Sequence, residues 1–182
     1  IDAAKNKGYD VLEMDSPLTA HLVGKLEQAD TNTTFTRVDG DTIDKLIEKD
    51  EEIASKLTEE DQNVLKPVIE EVVNKDTFTV NFVSLSETDS PMTVTQAEFM
   101  RRMKDMSAMG GGGGMMGMGN MPDMFNLSVN SNHPLILKML AEKDEAKRKD
   151  MAKQAADLAL LSKNLLKGEE LSKFIKRSVS LI

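Results

Sequence analysis

The sequence contains no cysteine and no tryptophan, and its 182 residues include only six phenylalanines and one tyrosine. Without cysteine there can be neither a disulfide framework nor thiolate chemistry, which fits a reducing compartment and sets a cytoplasmic expectation. With so few aromatic rings, any core must be assembled from Leu, Ile, Val and Met. No window approaches the run of about 20 apolar residues that a membrane-spanning helix needs, so no membrane partner is expected. The first residue is Ile and no signal-peptide pattern follows, so we expect a piece of a longer protein. Histidine is scarce too. His21 and His133 fall on different segments, which leaves no metal-spaced pair and no Ser/His/Asp ordering. His133 precedes Pro134 at a helix entry, where capping or packing is its expected role. Accordingly no catalytic, cofactor-binding or metal-ligating residue is assigned.

The net charge of −8 is unevenly spread: residues 1–90 carry 21 acids and 9 bases, and residues 91–182 carry 10 and 14. Phosphates would be repelled by the first half, and the second has no Lys/Arg cluster interleaved with aromatics, so no nucleic-acid partner is expected. Its mixed charges are expected to solvate helix faces.

Along the chain, Tyr9–Met14 reads as a short strand and Asp15-Ser16-Pro17 as a helix start. Leu18, Leu22 and Leu26 then recur at helical spacing as far as the Asp30-Thr31-Asn32 turn, and Thr33–Val38 reads as a second strand. One strand–helix–strand unit cannot bury both faces of a sheet, so residues 1–42 are expected to be the α/β end of a neighbouring domain. Residues 43–182 form the main domain. Its helical stretch from Ile43 to Asn74 should break near Leu57 and restart at Glu59 behind the capping box Thr58-Glu59-Glu60-Asp61, with Pro67 inside the second helix, where it should kink the axis or sit close to a turn boundary. Thr77–Leu85, Pro91–Thr95 and Phe125–Val129 read as three strands, arranged most economically as a small antiparallel sheet flanked by helices. The expected fold class is therefore α+β.

Between the second and third strands, Gln96–Met109 reads as a helix and residues 110–121 as a Gly/Met-rich loop. Five consecutive glycines resist one fixed backbone, so mobility is expected there. The glycines lack the Lys-Ser/Thr ending of a phosphate-binding loop. Further on, Ser131 or Asn132 should cap a short helix that runs through Leu140. A long helix from Asp144 to Leu166 should stop at Gly168 as a left-handed cap, and a last helix should span Glu169–Leu181 with its acids at the positive end.

Two patterns point to binding. Met151, Ala155, Leu158, Leu161 and Leu165 form one stripe of the long helix, widened by Leu160 and Leu166, and Leu171, Phe174, Ile175, Leu181 and Ile182 mark the last one, with Val179 beside them. A two-helix hairpin cannot bury that much apolar surface alone, so it packs either on its own sheet or on a second hairpin as a four-helix bundle. The second pattern is methionine: ten of the thirteen lie between Met92 and Met124, with Met100, Met103, Met106 and Met109 at three-residue spacing and Phe99 beside them. A flexible, polarizable Met face adapts to many apolar partners, or else fills an ordinary core. Without Cys or a His cluster it makes no metal site.

Several segments together resemble one family, the ninety-kilodalton heat-shock-protein chaperones of bacteria. They are Lys7-Gly-Tyr-Asp-Val-Leu12 with Ser16-Pro17, Ser90-Pro-Met-Thr-Val94, Asn130-Ser-Asn-His-Pro-Leu135, Ala159-Leu-Leu161 and Phe174-Ile-Lys-Arg177. The resemblance implies the tail of a middle domain followed by a C-terminal domain. It implies that the last two helices form a homodimer through a four-helix bundle, with Leu158, Leu161, Leu165, Leu171, Phe174, Ile175 and Val179 at the interface. It also implies an exposed amphipathic helix at Phe99, Met100, Met103, Met106 and Met109 that contacts unfolded or partly folded client proteins. The alternative is a purely structural dimerisation domain whose Met helix is core or an assembly contact. ATP and Mg belong, by the same resemblance, to an N-terminal domain that this chain does not contain, so no cofactor and no turnover are expected of it. The Gly/Met-rich extension departs from the family pattern.

Overall fold

The computed structural model describes residues 1, 4–5, 8–16, 18–38, 40, 53–97, 99–102 and 123–180. The expected boundary at residue 42, the helical stretch 43–52, the loop 110–121 and Met103, Met106 and Met109 lie outside them. The chain divides into two compact units, one of Ile1–Glu48 with Gln96–Asp123 and one of Lys49–Thr95 with Met124–Ile182.

In the first unit, helix α1 (Thr19–Ala29) follows a turn in which the Ser16 hydroxyl accepts from the Leu18 N–H at 3.2 Å. It ends at Asp30, whose carboxylate accepts from the Asn32 N–H at 3.0 Å and the Thr33 hydroxyl at 2.6 Å. Those bonds, Thr33 first, hold the Asp30 carboxyl below its ordinary value. Leu18, Leu22 and Leu26 are all exposed. The two flanking strands expected from sequence are absent: Tyr9–Met14 and Thr33–Val38 carry no ladder. Backbone groups need partners, and Phe35 finds them on side chains. Its N–H donates to Glu27 Oε1 at 2.9 Å and its carbonyl accepts from Arg102 at 2.6 Å. The α/β reading of this segment is therefore corrected to a helix with non-strand flanks.

In the second unit, helix α2 (Glu59–Val72) starts where expected. The Thr58 hydroxyl accepts from the Asp61 N–H at 3.2 Å, and the Asp61 carboxylate accepts from the Thr58 N–H at 2.9 Å. The helix runs on through Pro67 and buries Leu65 and Ile69 completely. Full burial of such side chains contributes about 1.5–3 kcal/mol each. Residues 53–57, expected to end a preceding helix, are not helical.

Strands β1 (Phe78–Val83), β2 (Met92–Thr95) and β3 (Phe125–Asn130) form one sheet in the order β1-β3-β2. The sheet is mixed rather than antiparallel: β1 pairs parallel with β3, and β2 pairs antiparallel with it. The reason is topological. The chain reverses between β1 and β2, so a strand inserted between two opposed neighbours must run parallel to one of them. Val80, Leu127 and Val94 share one row across the sheet, and Phe78 stacks on Phe125 with ring centroids 5.5 Å apart.

The Asn130-Ser131-Asn132 run leaving β3 is buried and hydrogen-bonded throughout. The Asn132 amide donates to the carbonyls of Ala54 (3.1 Å) and Leu85 (3.0 Å) and accepts from the Lys56 N–H (2.7 Å). This takes up the backbone of residues 54–56 and holds it out of a helix. Helix α3 (Pro134–Ala141) is capped by His133 and not by Ser131 or Asn132: His133 Nδ1 accepts from the Leu135 N–H at 3.0 Å. Helices α4 (Glu145–Ser162) and α5 (Gly168–Val179) close the unit. The core joins Leu65, Ile69, Leu127, Val129, Ile136 and Met139 to the alanines of α4.

Candidate functional site

Asp144 fixes the start of α4 by accepting from the N–H groups of Ala146 (3.0 Å) and Lys147 (3.2 Å). Ala152, Ala155, Ala156 and Ala159 are buried, at spacings of three and four that define one helix face. With nothing beyond Cβ, that face packs closely on α2 and β2. The helix stops earlier than the sequence suggested. Asn164, at φ 56°, takes the left-handed position expected of Gly168, and the Leu160 carbonyl accepts from the N–H of Leu165 at 2.9 Å. Gly168, at φ 59°, instead opens α5. The first turn of α5 carries Glu169 and Glu170 and its last turn Lys176 and Arg177, complementing the helix dipole.

The two helices are fastened by a polar clamp that sequence reasoning missed. Asp157 is wholly buried. It accepts from Lys153 Nζ at 2.7 Å and from Arg177 Nη2 at 2.5 Å. Arg177 Nε donates to Gln154 Oε1 at 2.8 Å, and the Gln154 amide donates to the Ser178 hydroxyl at 2.9 Å. Lys153 also reaches Glu170 at 3.3 Å. The Glu170 carboxyl is held below its ordinary value by Lys173 first and Lys153 second. A carboxylate taken from water costs several kcal/mol unless paired, so the clamp fixes where α5 lies along α4. The available signal was an acid inside an otherwise apolar run, Ala155-Ala156-Asp157-Leu158-Ala159.

Away from the clamp, several apolar side chains remain at the surface of the hairpin. Leu158, Leu161, Ile175 and Val179 are exposed, at 47%, 38%, 52% and 66%. Leu165 and Leu171 are half-buried against the core. Phe174 turns inward at 7% exposure, with the Arg177 guanidinium 6.0 Å from its ring centre. The seven residues singled out from sequence thus divide into four facing outward, two at the margin and one within the domain.

In the first unit, residues 99–102 are helical. Phe99 is 71% exposed, and Met100 is half-buried. Arg102 grips both oxygens of Glu27, at 2.8 and 3.1 Å. That grip, followed by the Phe35 N–H, lowers the Glu27 carboxyl from 4.5 to about 2. Phe99, Arg102, Glu27 and threonines of the 31–36 segment line an open groove of about 530 Å³. Among the described residues, no group of three or more His, Cys, Asp or Glu could hold a metal ion, and no helix is long and apolar enough to cross a membrane.

Comparison with known proteins agrees with the sequence resemblance. Chaperone protein htpG of Bacteroides fragilis (strain 638R) is 34% identical over 249 aligned positions, covering 100% of this chain and 36% of that protein. Chaperone protein HtpG of Bacteroides thetaiotaomicron is also 34% identical, with the same coverage. Chaperone protein HtpG of Porphyromonas gingivalis is 38% identical over 164 positions, 88% of this chain and 24% of its own length. The chain therefore spans about a third or less of the length of these relatives. The 249 aligned positions exceed its 182 residues, so the Bacteroides proteins carry residues within the matched span that have no counterpart here. The match to the Hsp90 protein family runs over residues 1–180, and the chain belongs to that family.

Proposed function

We propose that this chain is the part of an Hsp90-family chaperone that joins two protomers, α4 and α5 of each forming half of a four-helix bundle. One observation carries the reading: Leu158, Leu161, Ile175 and Val179 stay exposed on a hairpin that is otherwise locked to its own domain. Contiguous apolar patches on a protein surface mark interaction sites. Full burial of such a side chain is worth about 1.5–3 kcal/mol, and covering the part of each that is still exposed contributes roughly half of that before the costs of association are met. Light scattering should give the mass of a dimer, and Leu161→Glu with Ile175→Glu should give a monomer, because an unpaired charge cannot be buried cheaply. A parent chain that is monomeric at micromolar concentration overturns the reading.

The second part of the proposal is that the segment from Phe99 to Met109 presents an apolar face to unfolded or partly folded proteins. The 71% exposure of Phe99 supports this over a core role. Changing Met100, Met103 and Met106 together to Ser should abolish protection of an aggregating client while thermal stability holds. Broad destabilisation would instead support the purely structural alternative. ATP binding and hydrolysis belong, in this reading, to other parts of the full-length chaperone, working in the cytoplasm. Calorimetry with Mg-ATP should show no heat of binding to this chain.

A further inference from the structure

We propose that Glu27 and Arg102 form an ionic latch that seats the helical turn at Phe99 on the segment after α1 and so sets how Phe99 and Met100 are presented. Its geometry is a closed ring. Arg102 donates to both carboxylate oxygens of Glu27 and to the Phe35 carbonyl, and Glu27 Oε1 accepts from the Phe35 N–H. Three stretches of chain, at residues 27, 35 and 102, are tied by four bonds through one guanidinium and one carboxylate. The paired fork of an arginine on a carboxylate fixes orientation as well as distance, which a lysine would not do.

Phe99 lies three residues before Arg102, so the two share a helix face. They also line the same groove. Anchoring the Arg102 head therefore anchors the turn that carries Phe99. The latch is open to solvent, with 36% of the Arg102 side chain and 22% of Glu27 exposed. Water and salt therefore still reach this part-buried pair and weaken it. A charged stretch of an incoming polypeptide can compete for either partner and release the turn. This consequence rests on the client-binding proposal above; the latch itself rests only on the ring.

The test uses the whole chain. Hydrogen exchange of the Phe35 amide is followed by NMR in the parent, Glu27→Gln, Arg102→Gln and the double variant. Arg102 makes no bond to that N–H, so a local role would leave its exchange unchanged in Arg102→Gln. A latch predicts exchange faster by about three- to tenfold, the range expected of a weak charge-assisted contact. It also predicts a double variant no faster than Glu27→Gln alone. Adding roughly 0.5 M salt to the parent should act in the same direction by screening, which provides a measurement needing no variant. Because the sequence has no tryptophan, Phe99→Trp adds a single indole whose emission should shift with the same salt and the same substitutions. Unchanged exchange at Phe35 in Arg102→Gln overturns the latch. So does an equal acceleration at Val80 and Leu127 in the second unit. Failure of the methionine substitutions to affect client protection would strike the client reading alone, since Phe35 exchange does not depend on it.

Discussion

Arg177 and Arg102 each hold a carboxylate across separate helical segments, and the two pairs differ mainly in their surroundings. Arg177 meets Asp157, whose side chain is 1% exposed, while Arg102 meets Glu27 at 22%. Burial makes the first pair obligatory. Once Asp157 is inside, its charge must be matched, and losing a partner strands it. Exposure makes the second pair optional, because water can replace either side. The same two functional groups thus serve as a fixed joint in one unit and as an openable contact in the other.

The sharpest way to break this comparison is Arg177→Met, which should lower stability in urea denaturation by about 3 kcal/mol, less only to the extent that Lys153 still neutralises Asp157. Combining it with Asp157→Leu should bring stability back to within about 1 kcal/mol of the parent, since removing both members of a buried pair is far milder than removing one. Two single losses that simply add would show that Asp157 is not buried in solution.

At Glu27 the informative variable is pH. Its folded carboxyl lies near 2, below the ordinary 4.5, so the contribution of the pair is complete above about 4.5 and is lost as pH falls through 2. The Glu27 carboxyl resonance should titrate near 2 in the parent and move up toward 4.5 in Arg102→Gln. A midpoint that stays low in the variant would remove Arg102 as its cause. The smallest effect belongs to Lys173, which bridges Glu169 and Glu170 on the surface. Lys173→Ala should lower Tm by no more than about 2–4 °C, since each exposed helical pair contributes about 0.3–0.5 kcal/mol.

What could be read in advance follows from the range of the forces involved. The capping box at Thr58 and Asp61, the three strands and the polarity of α5 depend on neighbours within a few residues, and all were legible. The direction of β3 was not, because it depends on β1 and β2 passing on either side of a strand some 30 residues later. Asn132 looked like a helix cap because its chemistry suits one, yet its amide is committed to Ala54, Leu85 and Lys56. Thr33–Val38 has strand composition but pairs with no strand among the described residues, and side chains of Glu27 and Arg102 take up the backbone of Phe35 instead. In the candidate site, spacing placed Ala155, Leu158, Leu161 and Leu165 on one stripe of α4, but Ala155 is buried, Leu158 and Leu161 are exposed, and Leu165 lies past the end of the helix. That division, the inward turn of Phe174 and the pairing of Asp157 depend on how the hairpin closes.

The alanine face of α4 also bears on how this helix can change over time. Ala152, Ala155, Ala156 and Ala159 sit where any larger side chain would push the helix off the sheet, so drift there is limited by size. Leu158 and Leu161, on the same helix, are 47% and 38% exposed, so the described residues constrain their size less. Random mutagenesis of α4 scored for folding alone should therefore separate two interleaved sets of positions, one intolerant of bulk and the other more tolerant of it.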